Sequence, residues 1–139
     1  MPHPLMFDDA DPLLVRLRTL ALALPEAVEK VTHGRPTFSA ERVFAYYGGS
    51  RRGDTTDRHD TALLVRPDLV DEPALRQDAR FFEPSYLWPH GWLALDLGAD
   101  TDWDEVAELL DASYRRAAPR RLVALLDSPS VLNRPTRGR

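Results

Sequence analysis

The chain has 139 residues, a length that fits one domain and leaves little room for two. Its composition, 43% hydrophobic and 29% charged, is that of an ordinary globular protein. The absence of cysteine excludes disulfides, thiolate metal sites and a catalytic thiol, and no apolar run approaches the ~20 residues that span a bilayer. No charged-then-apolar leader opens the chain, so we expect a soluble cytoplasmic protein with no membrane partner.

Positive charge is concentrated near the C-terminus, although the net charge is −4. Residues 1–114 carry 11 basic and 21 acidic side chains, whereas residues 115–139 carry seven arginines against Asp127 alone. An acidic body repels polyanions at long range, so DNA binding requires that the arginines gather on one face.

The first half of the chain predicts a helix followed by strands. Asp11 and Pro12 have the chemistry of a helix N-cap and first turn, and apolar residues at three- and four-residue steps continue as far as Pro25. Segments rich in β-branched and aromatic residues follow at 28–33, 37–39, 43–47 and 61–66. The polar segment 48–60 is interpreted as a long hairpin loop between the last two of these strands.

The second half predicts shorter elements and then a long helix. A short helix is expected at 72–77, with strands at Phe81–Phe82 and 92–97. Thr101 or Asp102 is expected to cap the long helix, and Asp102 and Glu105 have the spacing of a capping box. Pro119 separates that helix from a short final one. The order of elements predicts an α+β fold, a two-layer sandwich whose antiparallel sheet carries the N- and C-terminal helices on one face.

Two stretches of the sequence contain motifs that are specific enough to indicate a protein family. One is HGRPTF at residues 33–38, followed by Phe44; the other runs from DARFFEPSY at 78–86 through GW at 91–92, DWDEVAELL at 102–110 and SYR at 113–115 to APRRL at 118–122. Over about residues 13–126 they resemble the YjbR/MmcQ family of small bacterial proteins.

The resemblance implies a two-layer fold like that of secretion-chaperone-like or frataxin-like proteins, and it carries the label of DNA binding. We expect a single domain of this type over residues 1–127, and the basic residues at 128–139 indicate a flexible tail. Glu41 and Arg42 stand where the family often has Gly-Lys, whereas Arg120 and Arg121 keep the charge of a frequent Lys-Arg pair.

The first candidate site is a basic corner where the long helix ends. Its arginines would bind phosphate, and other residues would add contacts; the corner consists of Arg115, Arg116, Arg120 and Arg121, and the added residues are Arg35, Arg80 and Tyr86. The alternative is that the corner complements the helix dipole and pairs with Asp111, as surface arginines commonly do.

The second candidate is a cleft lined by aromatic and basic side chains. Tyr86, Trp88 and His90 lie in a proline-bounded segment, where such groups stack on bases or line a small-molecule cleft, and the alternative is packing at the rim of the core. Separately, His33 and Arg35 flank Gly34 in a turn that would bind an anion if a cleft lies in reach, and the alternative is a turn whose charged groups lie in water. Phe81 and Phe82 point to opposite faces if they form a strand, so one of them is expected to be partly exposed.

Motifs for catalysis and metal binding are absent from the sequence. No serine lies in a Gly-x-Ser-x-Gly turn, no phosphate loop occurs, and the histidines lack the spacing of metal ligands; they are His3, His33, His59 and His90. We therefore expect a protein that is not an enzyme and has no metal or cofactor.

The leading prediction is a non-enzymatic binding module that binds DNA weakly through its C-terminal arginines. The alternatives are a protein-interaction module, such as a homodimer, and a binder of small anionic ligands.

Overall fold

The computed structural model describes residues 4–128, so the predicted tail lies outside the described residues from 129 onward. In this part of the chain the helices are α1 Pro12–Ala21, α2 Glu72–Gln77, α3 Trp103–Ala117 and α4 Arg120–Asp127, with a 3₁₀ turn at Trp88–His90. The strands are β1 Val28–Thr32, β2 Arg35–Ala40, β3 Arg42–Arg51, β4 Asp54–Val65, β5 Phe81–Phe82 and β6 Leu93–Asp96. None of these helices is both long and apolar enough to cross a membrane.

The six strands form one antiparallel sheet in the order β1-β2-β3-β4-β6-β5. The main core lies between this sheet and α1, α3 and α4, which contribute side chains such as Leu14, Leu110 and Leu122. The predicted α+β class, the antiparallel sheet and the placement of the terminal helices on one face are confirmed.

Side-chain hydrogen bonds hold helix α3 in place at its N-terminus and again near its C-terminal end. The Asp102 carboxylate accepts hydrogen bonds from the backbone N–H groups of Asp104 and Glu105, which satisfies two otherwise free donors of the first turn. Farther along, the Ser113 hydroxyl donates to the Phe44 carbonyl at 2.6 Å, and the Arg66 N–H donates to the same hydroxyl at 2.9 Å. This serine therefore sets the distance between α3 and strands β3 and β4.

Apolar residues cover both faces of the sheet. Phe81 joins the main core, whereas Phe82 belongs to a second cluster on the opposite face, together with Leu64 and Trp92. The expectation that Phe81 or Phe82 would be partly exposed is therefore wrong, since only 8% and 5% of their surfaces are accessible.

The hairpin between β3 and β4 is a long ribbon and not a loop. Gly49, Ser50 and Arg51 pair with His59, Arg58 and Asp54, and only Arg52 and Gly53 remain in the turn. The prediction of a loop over residues 48–60 is wrong because its polar composition says nothing about backbone pairing, and here the second strand supplies the hydrogen-bond partners.

Candidate functional site

A groove of about 720 Å³ lies on the sheet face opposite the helices. Tyr46, Gly48 and Gly49 of β3 and Leu64 of β4 line it, and segment 85–87 borders it. Thr32 and His33, at the turn after β1, also line it. A volume of this size is typical of small-molecule sites, which fall at roughly 300–1,000 Å³.

The two glycines let other groups approach the backbone of β3. A Cβ atom on Gly48 would clash with the guanidinium of Arg35, and one on Gly49 would lie 3.0 Å from Cδ2 of Leu64. Gly48 also has φ +93°, a conformation that L side chains rarely adopt. The glycines therefore allow Arg35 and Leu64 to lie against the strand inside the groove.

Two arginines at the groove share a single carboxylate. Arg35 Nη1 lies 2.9 Å from Asp60 Oδ1, and Arg58 Nη2 lies 2.8 Å from Asp60 Oδ2. Burial raises the pKa of Asp60, but the hydrogen bonds from Arg58 and Arg35 outweigh burial and hold the pKa below its ordinary value. Two positive charges therefore face one negative charge, which leaves one positive charge uncompensated in this group.

Tyr86 stands at the edge of the groove with 80% of its surface exposed. Its φ of +68° is rare for an aromatic residue and carries strain. The neighbouring backbone holds it there, since Ser85 N–H donates to Ser50 O at 2.8 Å and the Ser85 hydroxyl donates to Arg51 O at 2.7 Å. Segment 83–87 is thus tied to the β3–β4 ribbon.

The structure brings three of the predicted residues, His33, Arg35 and Tyr86, to the lining of this groove. Trp88 and His90 lie outside the groove lining, in the 3₁₀ turn. The guanidinium of Arg52 lies 3.4 Å from the Trp88 ring centroid and covers that ring, whereas His90 is exposed.

Carboxylates compensate part of the predicted basic corner. Arg115 pairs with Asp111 at 2.8 Å and with Asp127 at 2.9 Å, and these hydrogen bonds raise its pKa. Arg121 lies 2.6 Å from Glu41 and 3.4 Å from Glu26.

The other predicted arginines divide into paired and unpaired groups. Arg80 pairs with Asp78 at 2.7 Å and with Glu105 at 2.8 Å, on the helix side of the sheet edge. Arg116 donates from Nη1 to the Pro67 carbonyl at 2.9 Å, and Arg120 is exposed with no ion pair to residues 4–128. Two of the four arginines of the corner therefore pair with carboxylates, and the other two form no ion pair within residues 4–128.

Sequence reasoning missed the groove residues Arg58, Asp60, Gly48 and Gly49. All four lie in the segment that was interpreted as a loop, so their side chains had no assigned face. The signal that could have found them is the Arg52-Gly53 pair, because glycine in a two-residue turn between β-compatible residues indicates a hairpin.

Within residues 4–128, no set of three or more histidine, aspartate and glutamate side chains is placed to hold a metal ion.

The fold and the groove define a small two-layer α+β domain with helices on one sheet face and a groove on the other. The model of the YjbR family matches residues 22–116, which is more than half of the sequence. The chain belongs to the YjbR family. No curated protein matches it.

Proposed function

We propose that this protein is a non-enzymatic binding module whose groove takes a small amphipathic anion, with an apolar body and a carboxylate or phosphate head. The observation that carries the proposal is the sharing of Asp60 by Arg35 and Arg58 beside an apolar surface. An anionic head would supply the second negative charge that these two guanidinium groups lack.

The apolar part of the ligand would contact the remaining lining. The half-buried Tyr46 and Leu87 offer apolar surface, and the exposed Tyr86 ring offers a face for stacking. Transfer of apolar ligand surface from water to such a lining contributes about 25 cal/mol per Å² before the costs of association. The apolar surface would therefore supply affinity, and the charged head would fix the orientation.

The hydrogen bonds in the groove support binding without catalysis. The Ser85 hydroxyl donates to a backbone carbonyl and so is not held by a base as a nucleophile would be. Asp60 is occupied by two arginines, and its lowered pKa makes it a poor general base near neutral pH.

DNA binding and self-association stay predictions for this chain. The ion pairs of Arg115 and Arg121 remove part of the support for a phosphate-polymer site at the C-terminal corner. In the groove, Arg35 and Arg58 share one carboxylate, so compensation there is incomplete, and for this reason we place the small-anion alternative first.

The test is a fluorescence titration with 1-anilinonaphthalene-8-sulfonate, an aromatic anion, followed by competition with decanoate and with uncharged decanol. We expect saturable binding that decanoate displaces more effectively than decanol. Arg58→Ala should weaken binding roughly tenfold, because it removes one charge-assisted hydrogen bond.

Arg120→Ala is the matched control, since it removes one exposed positive charge outside the groove lining. It should leave the affinity for the dye unchanged. Near-ultraviolet circular dichroism must show that each variant is folded, because this dye also binds partly folded states. Equal weakening by Arg58→Ala and Arg120→Ala, or equal displacement by decanol and decanoate, would contradict the proposal.

A further inference from the structure

Three arginines without a carboxylate ion pair in residues 4–128 converge outside the groove lining. Arg42 begins β3, Arg66 follows the end of β4, and Arg116 lies in the last turn of α3. Antiparallel pairing of β3 with β4 brings the start of one strand beside the end of the other. Ser113, which bonds to the backbone of both strands, brings the end of α3 to the same place.

Arg66 is the most constrained member of this cluster. Its side-chain Nε is buried and has no hydrogen-bond acceptor among the described residues. Burial lowers the pKa of Arg66, and the positive charges of Arg116 and Arg42 lower it further. A buried charged donor without an acceptor is rare in folded proteins, so the group calls for an acceptor that the chain does not supply.

Two carboxylates near the cluster each pair with an arginine outside it. Glu72 acts on Arg66 in the opposite sense, raising its pKa, but its Oε2 accepts a hydrogen bond from Arg76 at 2.9 Å. Glu41, next to Arg42 in the sequence, lies 2.6 Å from Arg121. The cluster therefore keeps a positive excess.

We propose that Arg42, Arg66 and Arg116 form a binding site for a phosphate group, either as inorganic phosphate or carried by a small molecule. The planar forks of guanidinium groups match the oxygens of phosphate, and a phosphate oxygen would accept the Nε–H of Arg66. Arg116 already uses one N–H on the Pro67 carbonyl, which holds its guanidinium in place while leaving other donors for the anion.

A small anion fits this site better than a nucleic acid. Glu72 and Glu41 lie beside the cluster, and the chain as a whole carries a net charge of −4. Repulsion by these charges accumulates over the length of a polyanion, whereas a single phosphate experiences only the local excess of arginine. The site is independent of the groove and of the function proposed for it.

The test is an NMR titration of the ¹⁵N-labelled protein with inorganic phosphate, with chloride holding the ionic strength constant. The reporter is the Nε–H resonance of Arg66, because that proton would bond directly to the anion. We expect a saturable shift in the parent protein and affinity roughly tenfold weaker in Arg42→Ala, which loses one charge-assisted contact.

Arg42 is exposed, so its removal should preserve the fold, and Arg120→Ala is the control for loss of one exposed arginine. Arg116→Gln is a second variant and should weaken phosphate binding as Arg42→Ala does. A non-saturating shift, an unmoved Arg66 resonance, or equal affinities in Arg42→Ala and Arg120→Ala would overturn the proposal. A short DNA duplex that binds more tightly than phosphate, and loses that binding in Arg42→Ala, would overturn it by assigning the cluster to nucleic acid.

Discussion

His59 lies between two carboxylates on the sheet face that carries the groove. Its Nδ1 is 2.9 Å from Asp96 Oδ1, its Nε2 is 3.2 Å from Asp57 Oδ1, and its ring packs on Phe82 with centroids 4.3 Å apart. Burial lowers the pKa of His59, but hydrogen bonding and the negative charges of Asp96 and Asp57 outweigh burial, so the pKa is raised. Protonated His59 therefore links β4 to β6.

The variant Asp96→Asn tests this contribution to stability. Because the folded pKa of His59 is above its unfolded value of about 6.5, the stabilisation is fully present below that pH and is lost as the pH rises through the folded pKa. The free energy of unfolding should fall in Asp96→Asn by at most about 1 kcal/mol at acidic pH, since Asp96 is half-exposed, and by less at alkaline pH.

Urea unfolding of the parent and the variant at about pH 5.5 and about pH 8.5 measures this difference. Asp100→Asn is the control, because Asp100 is exposed and forms no ion pair within residues 4–128. A difference between the parent and Asp96→Asn that does not change with pH would show that His59 is not the titrating group.

At the residue scale, sequence could predict which side chains carry chemistry but not which of them meet. His33, Arg35 and Tyr86 were predicted and lie at one groove. Arg42 and Arg66 were not predicted, because their approach depends on the register of β3 with β4. The carboxylate partners of Arg121, Glu26 and Glu41, are equally remote along the chain.

Elements with local signals were predictable, and those that depend on distant partners were not. Helix α2 has the predicted bounds, and Asp102, one of the two predicted caps, is the N-cap of α3. Helix α1 was expected to continue to Pro25 but ends at Ala21, and the Tyr114 hydroxyl donates to the Pro25 carbonyl at 2.7 Å. That contact holds the chain after α1 in a turn, and no sequence periodicity reveals it.

Arg52 connects the tip of the β3–β4 ribbon to the segment beside the groove. Its N–H donates to Glu83 O at 2.8 Å, its Nη1 pairs with Glu83 Oε1 at 2.7 Å, and its guanidinium covers Trp88. These contacts and those of Ser85 hold two surface segments that lack a large core of their own. We infer that the shape of the groove depends on this connection.

The variant Arg52→Ala should loosen this connection without unfolding the protein. It removes a surface ion pair and a cation–π contact, each contributing about 0.5–1 kcal/mol, so the Ser85 amide should exchange its hydrogen several-fold faster. The Ala94 amide, in strand β6 between β4 and β5, should exchange at an unchanged rate. Hydrogen exchange followed by NMR measures both amides, and equal acceleration at both sites would indicate global destabilisation instead.

On the scale of the whole molecule, ion pairs divide the arginines into those that contact a carboxylate and those that do not. Most arginines of the described residues contact carboxylates, whereas the exceptions are Arg16, Arg42, Arg66, Arg116 and Arg120. Net charge alone could not predict this division, because it depends on which acidic side chains the fold brings to each arginine.

This distribution bears on the prediction of DNA binding. We expect duplex DNA to bind no more tightly than the non-specific range, with a dissociation constant of about 10⁻⁴ M or weaker near physiological salt. Alanine at Arg115 and Arg121 should change that affinity little, because both side chains already neutralise carboxylates. Fluorescence anisotropy across a salt series measures the affinity, and tight binding with a steep salt dependence that this double variant loses would restore the basic corner as the DNA site.

Leu122 of α4 is only 1% exposed and packs in the main core, although the family match stops at residue 116. Helix α4 follows the matched segment and completes the helical layer. The Glu41–Arg121 ion pair anchors this helix to the turn between β2 and β3. An expressed fragment trimmed to the matched segment would lose Leu14 and Leu17 of α1 as well as Leu122 of α4, and would leave the core under the helices open. The minimal autonomous unit of this protein therefore extends from the first helix through the final one.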